Sequence, residues 1–465
     1  MIRPALLLLL ACATRPASPL RVSDDPVATT QGMARGVHRS GVTSYLGIPY
    51  AQAERWSLPV EGPAWTGVRR FHTLGPACPQ EGQRRMTEDC LFLNVFVPKG
   101  TSVGAQRPVL VWIHGGGFRA GQGGESVGRL AQEGLVVVSF NYRLGLLGFR
   151  DWAGWTEHDP RNFGQADMVA ALRWVHANIA AFGGDPGNVT IGGHSGGGMG
   201  VQLMMVDPRA RGLFHRAISH AGYGTWPFPR AQNPSAEARA SLHIEPLEAD
   251  ARPRELVARV PHFHLPVIGG SDLPEQPAAV FEAGRQAPVP YMAGANSYDG
   301  NGTIDGAGYG VAGMMSRYGH DPAVRAAYAR DFAVSDHQAM ARLFGDMRYV
   351  YASWRTVRAM EPLDQPGYLF YYDARSPGAP GAGHGAQYDE LLGPGPFALR
   401  EAWVAFATTG VPAAEGLPPW PAHTAEAPTW MVFSPQAEPV QGKLADRMGV
   451  ISGLRFPGPE EPKVP

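Results

Sequence analysis

The sequence predicts an α/β protein with a large, mostly parallel central sheet flanked by helices, and three observations carry that prediction. Apolar runs alternate with helical stretches from about residue 105 to 225, the pattern of a sheet built from strand–helix–strand units. Two of the runs end in glycine-rich turns, His114-Gly115-Gly116-Gly117 and Gly193-His194-Ser195-Gly196-Gly197. Over 465 residues, 44% are hydrophobic, which supplies material for a large core.

The elements follow in order. PVLVWIHGGG (108–117) is an apolar strand ending in glycines, and LVVVSFNYR (135–143) repeats the form after a helical stretch, Ser126 to Glu133. A longer amphipathic helix then places Val169, Leu172, Val175, Ile179 and Phe182 on one stripe, and Gly183-Gly184-Asp185-Pro186 ends it. VTIGGHS (189–195) and HRAISHAGY (215–223) are the next strands. Residues 226–262, rich in Pro, Ala and charge without an apolar period, read as a surface or lid insertion. The sheet resumes at PVPYMAGANS (288–297) and YLFYYDAR (368–375), and SPGAPGAGHGA (376–386) is a loop. Parallel strands joined by right-handed crossovers place functional residues at the strands' C-terminal ends.

The remaining bulk features narrow the function. A formal net charge of −1 provides no broad field for nucleic acid or an anionic membrane, so a neutral or small substrate fits better. Residues 1–20 carry an arginine, the apolar run Ala5 to Ala11 and then small residues, the layout of an export signal. Leu9-Leu10-Ala11-Cys12 also fits a lipoprotein signal in which Cys12 is lipidated, and both possibilities stand. The run is too short to span a bilayer, which takes about 20 residues. Residues 21–465 are expected to form one domain. Setting Cys12 aside leaves Cys78 and Cys90. In an exported chain they read as one disulfide, with two buried thiols as the alternative. Neither they nor any neighbouring Cys or His has zinc-site spacing, so no metal is expected.

Acyl transfer needs a nucleophile, a base, a group that orients the base, and donors for the oxyanion. Ser195 lies in a G-x-S-x-G turn between a strand and a helix, where a serine hydroxyl is lifted out of the sheet. The backbone N–H groups of Gly116 and Gly117, with that of Gly196, are the candidate oxyanion donors; a side chain there would block approach. No Lys-Ser/Thr pair follows at phosphate-loop spacing. The order nucleophile, acid, histidine on this type of fold calls for a late histidine, favouring His384 over His423. Asp299, just past the 288–297 strand, is the candidate acid, with Asp305 as its rival.

These segments together resemble the type-B carboxylesterases of the α/β-hydrolase fold, the group containing cholinesterases and bacterial p-nitrobenzyl esterases. The resemblance spans roughly residues 27–455. It rests on TSYLGIPYA (43–51), TEDCLFLNVFVP (87–98), HGGGF (114–118), NYRLGLLGF (141–149), NFGQADMVAALRWVHANIAAFGGDPGNVTI (162–191) and LFHRAIS (213–219), in that order. It implies that Asp299 in SYDGN is the acid and His384 the base, that Cys78 and Cys90 pair, and that Arg55–Glu88 and Arg143–Asp167 are structural ion pairs. It also implies ester hydrolysis through an acyl-enzyme with no cofactor, on small to medium neutral esters. Two alternatives use the same fold: a catalytically silent, neuroligin-like binding module, and a lipase or lactonase using the same triad. Oligomeric state is not implied.

Departures from the family pattern accompany the match. His194 stands where the family usually has glutamate before the serine, which removes a negative charge beside the nucleophile and is expected to alter the pH dependence. Ala221, in HAG (220–222), replaces a hydroxyl residue, and the Cys78–Cys90 loop has no tryptophan to bind a choline cation. The intervals 299 − 195 = 104 and 384 − 299 = 85 are short for the family, which points to a reduced lid. Trp112, Phe118 and Trp226 are candidates for the acyl pocket or for plain packing.

Overall fold

The computed structural model describes residues 25–457 except 125, 150–161, 231–251, 258–264, 307–308, 396, 435–436 and 443. The expected export segment with Cys12, and most of the expected lid insertion, lie outside the described residues.

Among the described residues an 11-stranded sheet runs through the molecule. Its strands are β1 (Val37–Arg39), β2 (Val42–Pro49), β3 (Phe92–Pro98), β4 (Arg107–Ile113), β5 (Val136–Phe140), β6 (Gly184–His194), β7 (Arg216–His220), β8 (Tyr291–Asn296), β9 (Gly367–Tyr372), β10 (Thr429–Phe433) and β11 (Glu438–Gln441). In space the order is β1-β2-β3-β5-β4-β6-β7-β8-β9-β10-β11. Strands β5 through β10 pair in parallel. Antiparallel pairs close both margins, β1–β2–β3–β5 at one side and β10–β11 at the other. The expected mostly parallel sheet is therefore present at the centre. The antiparallel strands β1 to β3 extend it on the N-terminal side, where the alternation argument had no purchase.

Alternating residues of β4 go to opposite faces, as the strand period of two requires. Val109, Val111 and Ile113 join one buried cluster with Val136, Val138 and Ile191. Leu110 and Trp112 join the other with Val137, Ile218, Met292 and Phe370. Burial on both faces is why these strands read as unbroken apolar runs. Helices α1 (Phe163–Asn178) and α2 (Gly196–Val206) cover the first face through residues such as Leu172, Val175, Leu203 and Met204. The segment α3 (Asp336–Gly345), a π-helical turn and α4 (Tyr351–Arg358) joins them there through Leu343, Met347 and Val350. The second face is covered by the 3-10 helix Ser126–Glu133 and by α5 (Ala398–Thr409), with Leu130, Trp403 and Phe406 inside.

The expected stripe Val169, Leu172, Val175, Ile179 and Phe182 is fully buried. Ile179 and Phe182 sit in a short 3-10 turn after α1, and Gly183, at φ 78°, ends it. Arg143 fastens the β5 exit to α1: its Nε and Nη2 donate to the Asp167 carboxylate at 2.8 and 2.7 Å. Arg55 pairs with Glu88, and Cys78 is disulfide-bonded to Cys90.

The chain leaves β4 to form β5 on one side and then β6 on the other. The connecting elements lie on opposite faces, so a crevice opens beyond the C-terminal ends of β4 and β6, the place where open α/β sheets bind ligands.

Candidate active site

Strand β6 ends at His194, α2 begins at Gly196, and Ser195 between them has φ 58° and ψ −123°. That conformation is strained for a residue with a Cβ, at about 1–3 kcal/mol. Packing holds it in place. A Cβ on Gly193 would lie 2.5 Å from the Gly197 carbonyl carbon, and one on Gly197 would lie 2.0 Å from the Ile113 oxygen. Only glycine fits at either side of the turn. Ser195 N donates to the His220 carbonyl at 2.9 Å, which anchors the turn to β7.

The glycine loop after β4 touches this turn. A Cβ on Gly196 would lie 2.8 Å from Gly117 N, and one on Gly115 would lie 3.4 Å from the Ser195 Cβ. Gly116 and Gly117 have φ of 105° and 61°, conformations that favour glycine. The Gly116 carbonyl accepts from Arg119 N and Ala120 N, both at 3.1 Å. Among the described residues neither Gly116 N–H nor Gly117 N–H meets a backbone acceptor.

Asp299 follows the end of β8, and its carboxylate is fully buried. Its Oδ2 accepts from Asn296 N at 2.7 Å, and its Oδ1 lies 2.8 Å from His384 Nδ1. A carboxylate accepts, so His384 carries its hydrogen on Nδ1 and leaves Nε2 as the basic nitrogen. Tyr349 stacks on the His384 ring at 5.3 Å. The rivals are elsewhere: His423 Nδ1 is 3.1 Å from the Thr429 carbonyl, and Asp305 is exposed on a short helix.

Three ties hold the acid loop to the histidine loop. Asn296 Nδ2 donates to the Gly383 carbonyl at 2.7 Å, Ala382 N donates to Ser297 Oγ at 2.8 Å, and Tyr298 N donates to the Ala382 carbonyl at 2.9 Å. Arg342 on α3 adds a fourth: its guanidinium donates to the Ser297 carbonyl, to the Pro380 carbonyl at 2.6 Å and to Asp331 at 2.8 Å.

His194 places a second imidazole beside that of His384, with ring centroids 4.5 Å apart. Its Nδ1 is 3.1 Å from the Tyr388 hydroxyl. Burial, reinforced by the proximity of His384 and His220, holds His194 well below the ordinary histidine range, so it is neutral near pH 7. His220 is likewise driven down to about 4, chiefly by burial, with the Asp299 charge opposing; its Nε2 is 2.8 Å from Asn296 Oδ1. Burial pushes the Tyr388 hydroxyl up to about 12. Ala221 lies next to this group with φ 50°, its N–H donating to the Gly294 carbonyl at 2.7 Å.

Trp112, Phe118 and Trp226 are all buried. Trp112 packs near Trp403 and Tyr388, Phe118 against Phe149, and Trp226 among Tyr309, Phe344 and Phe456. A cavity of about 710 Å³ backs the acid loop at Ser297, lined also by Asp331, Arg342, Asp373 and Arg447, and its walls include neither Ser195 nor His384. Sequence reasoning did not find Arg342, Asn296, His220 or Tyr388. Each acts through a partner distant in the chain, and no local pattern marks it.

Comparison with known proteins adds to this geometry. The model of the carboxylesterase family matches residues 23–244. Human carboxylesterase 3 is 32% identical over 507 aligned positions, covering 89% of this chain and 88% of that protein. The para-nitrobenzyl esterase of Bacillus subtilis is 34% identical over 308 positions, covering 59% of this chain and 63% of the esterase. A crystal structure of a Geobacillus stearothermophilus carboxylesterase superposes with a TM-score of 0.80 at 27% identity, covering 92% of this chain and 99% of that one. A para-nitrobenzyl esterase structure gives 0.75 at the same identity and coverage.

Proposed function

The chain belongs to the carboxylesterase family, with the α/β-hydrolase fold, and is a serine carboxylic ester hydrolase acting on small-molecule substrates; from that premise we propose that Ser195, His384 and Asp299 carry out the reaction. The silent binding module is not favoured by these relatives, which are esterases. The observation that supports the residue assignment best is the contact of the buried Asp299 carboxylate, through Oδ1, with His384 Nδ1, beside the turn that carries Ser195.

In this reading the Ser195 hydroxyl attacks the ester carbonyl and gives its proton to His384 Nε2. Asp299 fixes the imidazole tautomer and stabilises the imidazolium. The N–H groups of Gly116, Gly117 and Gly196 receive the oxyanion, each worth about 3 kcal/mol of barrier. His384 returns the proton to the leaving alcohol, and water repeats the cycle on the acyl-enzyme. The preferred substrates are small to medium neutral esters, since the net charge is −1. A panel of p-nitrophenyl esters of increasing acyl length tests this, with Ser195→Ala as the control. Hydrolysis by the folded variant at the wild-type rate would refute the assignment.

Residues 1–20 are proposed to direct export, either as a cleaved signal or as a lipoprotein signal with Cys12 as the lipid attachment point, leaving residues 21–465 as a single catalytic domain. The disulfide between Cys78 and Cys90 supports an oxidising destination. Among the described residues no helix is long and apolar enough to cross a membrane. Mass determination of the mature chain separates cleavage, lipidation and retention of the segment.

A further inference from the structure

His194, Asp299 and His384 each bring a metal-ligating atom into a group whose members lie within 4.8 Å of one another. Two of the three, His194 and Asp299, are buried, and the His384 side chain is only 18% exposed. The Nε2 of His194 is enclosed and has no hydrogen-bond partner among the described residues. An imidazole nitrogen buried without a partner costs about 1–3 kcal/mol, so the position is ready for a ligand. Its other nitrogen, Nδ1, faces the Tyr388 hydroxyl at 3.1 Å. One ring nitrogen open and the other held by an oxygen is how metal-ligating histidines are oriented.

We propose that His194, Asp299 and His384 form an inhibitory site for a borderline divalent cation such as Zn²⁺, using His194 Nε2, His384 Nδ1 and an Asp299 carboxylate oxygen. Two imidazoles and one carboxylate with an open fourth position make a donor set suited to Zn²⁺ or Co²⁺. Mg²⁺ and Ca²⁺ prefer shells of oxygen and do not fit. Tetrahedral zinc with bonds of about 2.0–2.2 Å holds its donors roughly 3.3 Å apart. The His384–Asp299 pair at 2.8 Å is near that already, and the donor atom contributed by His194 lies within 4.8 Å of the other two.

The inhibition rests on the roles proposed above for Ser195 and His384. A cation on Nδ1 displaces the hydrogen that Asp299 accepts, and Nε2 takes up a proton in its place. The net proton count of the imidazole is unchanged. Nε2 then has no lone pair for the Ser195 proton, and hydrolysis stops. The cation is no cofactor: it competes with the working tautomer.

The test compares wild type, His194→Gln and Ser195→Ala, each verified as folded by circular dichroism. Zn²⁺ binding is measured by calorimetry, and Co²⁺ coordination by its visible absorption. Wild type is expected to bind one Zn²⁺, give the intense bands of four-coordinate Co²⁺, and lose phosphonate labelling of Ser195 as the site fills. His194→Gln is expected to bind Zn²⁺ at least about 100-fold more weakly, beyond what loss of an outer-shell partner costs. Ser195→Ala is expected to keep wild-type Zn²⁺ affinity while losing hydrolysis. Equal Zn²⁺ affinity in wild type and His194→Gln, or Mg²⁺ binding as tightly as Zn²⁺, overturns the site. Persistent hydrolysis by Ser195→Ala would instead overturn the catalytic assignment and leave the metal result readable on its own.

Discussion

Arg342→Met tests whether the acid and histidine loops are held in working geometry from behind. Arg342 is 7% exposed, and its guanidinium reaches Asp331, the Ser297 carbonyl and the Pro380 carbonyl. Ser297 is two residues from Asp299, and Pro380 four from His384. Breaking a buried ion pair by removing one partner costs about 3–5 kcal/mol. Asp331 keeps Gln338 at 2.8 Å and Arg447 at 3.7 Å, which favours the low end for that pair. Both carbonyls keep a second donor, the Tyr371 hydroxyl on Ser297 at 3.3 Å and Arg375 Nη1 on Pro380 at 2.8 Å, so the expected loss stays at about 3 kcal/mol. Unfolding entropy of about 2.1 cal/mol/K per residue converts this to a melting shift of roughly 3 °C for a chain of 465 residues. If the loops separate by about 1 Å, the rate falls about 100-fold, seen in kcat more than in KM. Arg342→Lys keeps the charge but not the fork and should fall between. The assays are thermal melting and steady-state hydrolysis of p-nitrophenyl acetate. A folded Arg342→Met enzyme with kcat within a few-fold of wild type would refute the loop-tie argument.

Asp299→Asn is expected to lower kcat by about 10⁴, or about 5.5 kcal/mol, because the amide no longer enforces the Nδ1–H tautomer of His384; steady-state kinetics on the folded variant checks it. The double change Cys78→Ser, Cys90→Ser opens a loop with a sequence separation of 12 and is expected to cost about 3 kcal/mol by loop entropy, measured by denaturant unfolding. His194→Glu places a carboxylate near His384, stabilises its imidazolium and should move the acidic limb of the kcat/KM profile up by about one pH unit; a profile that overlays wild type contradicts this. His114 and His220 are buried and held near pKa 4, whereas in the unfolded chain they titrate near 6.5. The unfolded state therefore binds more protons between pH 6.5 and 4. Stability is full above that window and falls as pH drops through it, by about 2 kcal/mol for each histidine at pH 5, which urea unfolding across pH would show.

The parts legible in the sequence were those with local signatures. Strands β4, β5 and β6 announced themselves because both faces are buried, and the residues flanking Ser195 because backbone approach at Gly193 and Gly197 admits no side chain. Asp299 was placed by its position past a strand end, although Asp305 nearby offered the same chemistry. Strands β1 to β3 were not read as elements: β1 pairs with β2 in a short hairpin and β3 pairs with antiparallel strands distant in the chain, so none of them shows the strand–helix alternation. Helices α3 and α4 escaped for a different reason. Arg342 on α3 and Arg348 on the π-helical turn between the two are buried, which spoils the polar face that a helical pattern needs. The His194 substitution was visible as a departure, but its contacts with Tyr388 and His384 come from residues 194 and 190 positions further along the chain and exist only in three dimensions.

The central claim is that one serine, activated by His384 and Asp299 beside the glycine amides, performs the hydrolysis. The most direct measurement is peptide mapping by mass spectrometry after treatment of the folded protein with a fluorophosphonate. One adduct on the peptide containing Ser195, formed far more slowly in His384→Ala and absent in Ser195→Ala, is the predicted result. An adduct on another residue, or undiminished labelling without the His384 imidazole, contradicts the account.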